Sequence, residues 1–89
     1  MKESNLITFE RHYSTGDTAR LRLYMVAHNV YNVELIVTEA HEDGTEVEWP
    51  THIMDSSVYS ASRAAFMDLL QECSEATCLT EVYAYLDKV

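Results

Sequence analysis

The sequence predicts an α+β fold: a four-stranded antiparallel β-meander in the N-terminal half, packed against one long helix and completed by a short C-terminal helix or a fifth strand. Three observations carry this expectation. Apolar and polar residues alternate over much of the stretch from Asn5 to Trp49, apolar residues recur at helical spacing from Val58 to Cys73, and Pro50 divides the two regimes. The 89 residues have room for one domain, because a chain of this length buries only a little more than about 60% of its unfolded surface and cannot divide that core in two.

Asn5 to Tyr13 and Ala19 to Ala27 are rich in β-formers and flank Ser14-Thr15-Gly16-Asp17-Thr18, a turn-prone stretch suited to a hairpin. Pairing Phe9 with Leu23 and Ile7 with Met25 gathers the apolar residues on one side. The same register sets Glu10 opposite Arg22 and turns Tyr24 and Val26 outward. A third strand, Tyr31 to Ala40, follows the short His28-Asn29 turn and alternates Val33, Leu35 and Val37 inward with Glu34, Ile36 and Thr38 outward. Glu42-Asp43-Gly44 reads as a three-residue hairpin loop with Gly in the left-handed position, leading into Glu46-Val47-Glu48-Trp49. Pro50 ends that strand because it has no amide hydrogen to give to a ladder.

Asp55 or Ser56 is the expected cap of a helix running to about Cys73, with Val58, Ala61, Ala65, Leu69 and Cys73 along one face and Phe66 and Leu70 beside them. Beyond it, Leu79, Val82, Tyr83 and Leu86 form a helical stripe, while Thr80, Val82, Ala84 and Leu86 would suit a strand. Ser74 to Thr77 holds no Gly or Pro to mark a sharp return, which favours the helix. The expected core comprises Ile7, Phe9, Leu21, Leu23, Met25, Val33, Leu35, Val37, Val47, Trp49, Ala65, Leu69 and Val82.

Composition narrows the function classes. The net charge is −9, yet a hydrophobic share of 47% with six Tyr, two Phe and one Trp supplies enough apolar surface for folding. Between Arg22 and Lys88 stand twelve carboxylates and one basic residue, Arg63. Such a surface repels phosphate and anionic headgroups, which argues against direct binding of nucleic acid or membranes. Arg11, Arg20 and Arg22 with Tyr13 and Tyr24 are too few to reverse this, since the first 22 residues hold four basic residues against three acidic ones. These arginines could instead pair with the acids of a second copy in a homodimer. The opening residues lack the apolar core of a signal peptide, and no apolar run approaches the roughly 18 residues of a membrane span. With Cys73 and Cys78 too few for a disulfide framework, a cytoplasmic chain with reduced thiols is expected.

Each candidate site in the sequence has a plainer explanation. Glu34, Glu39, Glu42, Asp43, Glu46, Glu48 and Asp55 form an acidic stretch with no Lys or Arg from residue 23 to residue 62. Carboxylates two apart on a strand, such as Glu46 and Glu48, point the same way about 6.5 to 7 Å apart, comparable to successive phosphates of a nucleic acid. The plain alternative is a solvated face that keeps the protein in solution. Apolar Tyr24, Val26 and Ile36 on the outward side favour an interface, where a charged rim surrounds apolar anchors. Glu39, His41 and Asp43 share strand parity and could converge on a divalent ion, but Asp43 sits in a turn where bonding to nearby amides is the better explanation. The two cysteines have no partner pair at zinc spacing. Ser56, Ser57, Ser60 and Ser62 suit the start of a helix, and the four histidines suggest no triad, so neither catalytic residues nor a cofactor are expected.

The sequence therefore predicts a small acidic non-enzymatic inhibitor or modulator that binds a basic, nucleic-acid-binding surface of a partner protein and blocks DNA or RNA from it. Size and charge are those of anti-restriction proteins and phage inhibitors of CRISPR complexes, an analogy of physical type that no motif carries. The competing expectation is a structural or regulatory subunit that dimerises or docks through an apolar sheet patch.

Overall fold

The computed structural model describes residues 4–87. The chain forms five strands and two helices in the order β1 (Ser4–His12), β2 (Thr18–Ala27), β3 (Val30–Ala40), β4 (Glu46–Glu48), β5 (His52–Ser56), α1 (Tyr59–Glu75) and α2 (Leu79–Leu86). This is the α+β architecture expected, an antiparallel sheet packed against a long helix with a short helix after it. No helix among the described residues is long and apolar enough to cross a membrane.

Two matching loops build the hairpins. Tyr13 N donates to Asp17 O at 2.9 Å and Gly16 N to Tyr13 O at 2.9 Å; His41 N donates to Thr45 O at 2.9 Å and Gly44 N to His41 O at 3.0 Å. In both, a three-residue loop ends on a glycine of positive φ, +92° at Gly16 and +87° at Gly44, a conformation other side chains adopt only under strain. The first loop corrects the predicted register. Closure of Tyr13 onto Asp17 brings Phe9 opposite Leu21, Ile7 opposite Leu23 and Glu10 opposite Arg20. The slip of two residues keeps every side chain on its predicted face, because faces repeat with period two, but it separates Arg22 from Glu10 and gives it to Glu34.

The second correction concerns residues 52–56, expected to lead into a helix capped by Asp55 or Ser56. They form β5, which pairs with β3 from Leu35↔His52 to Tyr31↔Ser56. The helix starts after Val58 with no side-chain cap, and Ser56 Oγ instead accepts from Val58 N at 3.0 Å. Thus β4 and β5 share one edge of β3, interrupted at Trp49-Pro50-Thr51. Pairing changes there by one residue, from Thr38↔Glu48 to Leu35↔His52. Pro50 sits in the gap because it has no hydrogen to donate.

The inner face of the sheet meets α1 and α2. Leu21, Leu23, Val33, Leu35, Phe66, Cys73 and Val82 are the most deeply buried large side chains, joined by Val37, Leu69 and Leu79. Each large apolar group so enclosed contributes about 1.5–3 kcal/mol. On α1 the buried stripe is Ser62, Phe66, Leu69 and Cys73, rotated from the predicted face, with Val58 and Ala61 exposed. Ser62 is tolerated inside because its hydroxyl donates to Val58 O at 3.2 Å. Val47 and Trp49 lie at the rim of this layer, 47% and 43% exposed, rather than in the core. Tyr13 anchors the first loop to the helix by donating its hydroxyl to Cys73 O at 3.0 Å.

Two outcomes follow for stability. Leu23→Ala is expected to lower the unfolding free energy by about 2–5 kcal/mol in urea titrations, whereas Val47→Ala changes it by less than about 0.5 kcal/mol. Burial pushes the Tyr13 and Tyr83 hydroxyls up to about 12 and the Cys73 thiol up to about 11. All three are neutral when protonated, so the folded chain holds their protons to higher pH than the unfolded chain. Stability is therefore full below their ordinary values of 9.0 for Cys73 and 10.0 for the tyrosines, and falls as pH rises to about 12. Tyr13→Phe and Tyr83→Phe should each flatten that alkaline decline in urea titrations across the range; an unchanged slope would contradict the burial of these hydroxyls.

Candidate functional site

The outer face of the sheet carries the even-numbered residues of β1 beyond its irregularity near Leu6, of β2 and β3, and those of β4, together with Ile53 and Asp55 of β5. It divides into two zones. In the centre the charges neutralise one another. Glu10 lies 2.8 Å from His12 and 3.8 Å from Arg20. Arg22 donates from Nε to Glu34 at 2.9 Å, from Nη2 to the same carboxylate at 3.4 Å and from Nη1 to Asn5 Oδ1 at 3.1 Å. Its guanidinium sits 3.8 Å from the centroid of the Tyr24 ring, whose hydroxyl donates to Glu34 at 3.2 Å and accepts from Asn32 at 3.4 Å. A shallow concavity of about 380 Å³ lies over this zone, lined by Glu10, Arg20, Arg22, Glu34 and Ile36 among others.

This network removes two predicted contact residues from the accessible surface chemistry. Glu34 is 8% exposed and Tyr24 4% exposed, so Glu34 is a paired internal carboxylate and Tyr24 a buried strut. Val26 is half-buried at the irregularity between Met25 and Ala27, next to the turn where Asn29 takes a positive φ of 56°. Ile36 remains partly accessible at the boundary of the concavity.

The second zone is the rim formed by the β3–β4 turn, β4 and β5. Glu46 and Glu48 pair with Ala40 and Thr38 and therefore point outward together, and Asp55, opposite Asn32, points the same way from β5. Glu42 stands exposed in the turn. Among the described residues, none of these four carboxylates makes a hydrogen bond or an ion pair. Ile53 lies between them in the outward row, 48% exposed and opposite Glu34. The strand reading of residues 52–56 would have placed Ile53 in this row from its parity alone.

Glu39 and Asp43 stand apart from that rim. Glu39 shares the inner parity with Val47 and accepts a hydrogen bond from Trp49 Nε1 at 2.7 Å, with His41 at 3.9 Å. Asp43 accepts from Thr45 N at 3.0 Å and Thr45 Oγ1 at 2.6 Å, and these bonds hold its carboxyl below the usual range. Asp43 is thus engaged in turn chemistry, and no group of three metal-ligating side chains comes together among the described residues. Cys73 is buried, with its thiol pushed up by desolvation and then by Glu72, which suits a small apolar group rather than a nucleophile. The remaining acids are dispersed on the helical layer, with Glu81 holding Thr77 N at 2.8 Å at the start of α2.

No protein-family model, curated protein or solved structure matches the chain.

The two zones differ in what a carboxylate does for the fold. Glu34→Ala would leave the Arg22 guanidinium half-buried without its main partner, so a loss of about 2 kcal/mol is expected, with a positive coupling to Arg22→Ala in a double-mutant cycle. Glu46→Ala and Glu48→Ala should each stay within about 0.5 kcal/mol of the parent in the same denaturation assay.

Proposed function

We propose that this chain is a non-enzymatic protein that binds a basic surface of a partner protein through the rim of Glu42, Glu46, Glu48 and Asp55, covering cations that would otherwise hold DNA or RNA. The observation that supports this reading is the contrast within one sheet. The centre of the face matches each carboxylate with an arginine, a histidine or a tyrosine hydroxyl, while the rim leaves four exposed carboxylates unmatched beside Ile53 and Ile36. Surface acids that serve only the fold recruit cross-strand partners where these are within reach; the rim has none nearby, because no Lys or Arg occurs from residue 23 to residue 62.

Opposite charge on the partner would steer encounter and raise the association rate, and burial of the two isoleucines would lengthen the lifetime of the complex. Glu46 and Glu48, about 6.5 to 7 Å apart on one side of β4, present charge at an interval comparable to that of a nucleic-acid backbone.

The test uses a partner captured from source-cell extract at low salt and released by nucleic acid, then purified. Reversing Glu46 and Glu48 to Lys should slow its association by about tenfold or more while leaving thermal unfolding unchanged. Ile53→Asp should act instead on dissociation. An association rate indifferent to the reversal and to salt would reject the charge-led reading in favour of apolar docking or self-association.

A further inference from the structure

The sheet has two borders, and they are built differently. At one, β4 and β5 are short, are separated at Pro50 and carry Glu46, Glu48 and Asp55, features that discourage a further strand from joining. At the other, β1 pairs with β2 alone, and among the described residues no backbone bond reaches its outer edge. The closing bond from Tyr13 N to Asp17 O sets the phase of that ladder. Hydrogen-bonded pairs recur at every second residue, so Arg11, Phe9 and Ile7 bond to β2, while the amides and carbonyls of Thr8, Glu10 and His12 point away from the sheet. Neither Pro nor Lys interrupts the stretch from Asn5 to His12. The same strand leaves apolar surface uncovered: α1 packs chiefly over β2 and β3, and Ile7 and Phe9 are only half-buried on the inner face.

We infer that this edge pairs with the same edge of a second copy of the chain, antiparallel about a twofold axis at Phe9, so that two sheets join into one. The phase of the outward amides requires even-numbered residues to face even-numbered ones, which keeps the helices of both copies on one side. An axis at Glu10 would set two carboxylates against each other. An axis at Thr8 would pair Glu10 with Leu6, at the irregularity of β1. With the axis at Phe9, Thr8 meets Glu10 of the second copy on the outer face, where the hydroxyl can donate to the carboxylate. On the inner face Phe9 meets Phe9 of the second copy, an aromatic pair at the closer, non-hydrogen-bonded spacing. Charge favours a second copy over a charged partner here. Strands β1, β2 and β3 carry Arg11, Arg20 and Arg22 against Glu10, Glu34 and Glu39, so the edge has no excess of either sign to attract one. The unmatched acids lie at the far border, which puts the rims of the two copies roughly 30 Å apart, several Debye lengths of about 10 Å. Both rims stay open, and the inference does not rest on what they bind. The paired stretch is short, so the dimer is weak and reversible.

The experiment follows sedimentation and NMR amide exchange of the full chain from about 10 μM to about 1 mM. A monomer–dimer equilibrium is expected, with exchange of the Thr8 and Glu10 amides slowing by about tenfold or more as the dimer fills, while Phe9 and Arg11, already bonded to β2, are slow throughout. Thr8→Pro removes an amide hydrogen that faces away from β2, a place where edge strands accept proline. It should abolish the dimer and leave the chain folded. A chain that is still monomeric at about 1 mM, a dimer in which Thr8 and Glu10 exchange at the monomer rate, or a dimer undiminished in folded Thr8→Pro would each overturn the inference; the exchange result on the parent chain decides it even if that variant is unstable. Raising the salt should leave the dimer as tight or tighter, and reversal of Glu46 and Glu48 to Lys should not dissolve it. Failure of the rim reading and failure of the edge pairing therefore show in different measurements.

Discussion

Strand β3 must be hydrogen-bonded along both edges, and the rest of the molecule is organised around that requirement. Its side chains Val33, Leu35 and Val37 are buried on the inner face, and Glu34 is buried on the outer face as well. A strand enclosed on both sides has no water for its amides and carbonyls, so each must find a partner in the chain. One edge is met by β2 from Val30 to Thr38, while the other is met in two pieces, β4 and β5. The one-residue change of pairing between those pieces, across Pro50, has a functional consequence. It keeps Trp49 on the helical side, beside the Tyr83 ring at 5.4 Å, and turns Ile53 and Asp55 outward beside Glu46 and Glu48.

Charge is used in two ways on one sheet. Where arginine is within reach, as on β2, it is matched with Glu34 in a partly buried contact reinforced by Tyr24 and Asn5. Such a pair holds neighbouring strands in a particular arrangement, and breaking it leaves a desolvated charge behind. Along β4 and β5 no arginine is within reach, and the carboxylates face solvent. The net charge of −9 is therefore a poor guide to the anionic surface, because part of it is cancelled locally or engaged in turns and caps, as Asp17 is when it accepts Ala40 N at 2.7 Å.

The two departures of the structure from the expected strands share a cause. The predicted pairing of Glu10 with Arg22 was chemically reasonable, but loop geometry outweighed it: a glycine at the third loop position and closure by Tyr13 and Asp17 decide the register. Side-chain complementarity is worth a fraction of a kcal/mol and is easily met in more than one register. Residues 52–56 were hidden for a related reason. Five residues between a proline and a helix show too little alternation to stand alone, and they become a strand because β3 has an unfilled edge.

Alternation, helical spacing and the two glycine-bearing turns were local properties, and from them the sequence determined the antiparallel sheet, the long helix, most of the inner core and the absence of basic residues beside the later acids. Which acids stay free was decided by the tertiary structure. Glu34, Glu39 and Asp43 look the same as Glu46, Glu48 and Asp55 in a string of letters, and they differ because strand pairing brings Arg22, Trp49 or Thr45 within bonding distance of the first three. The free edge of β1 is likewise invisible to any local pattern, since which strand lies at the border of the sheet depends on the pairing of all the others. Hydrogen bonds act over about 3 Å, and proximity on that scale between residues far apart in the chain is a property of the fold.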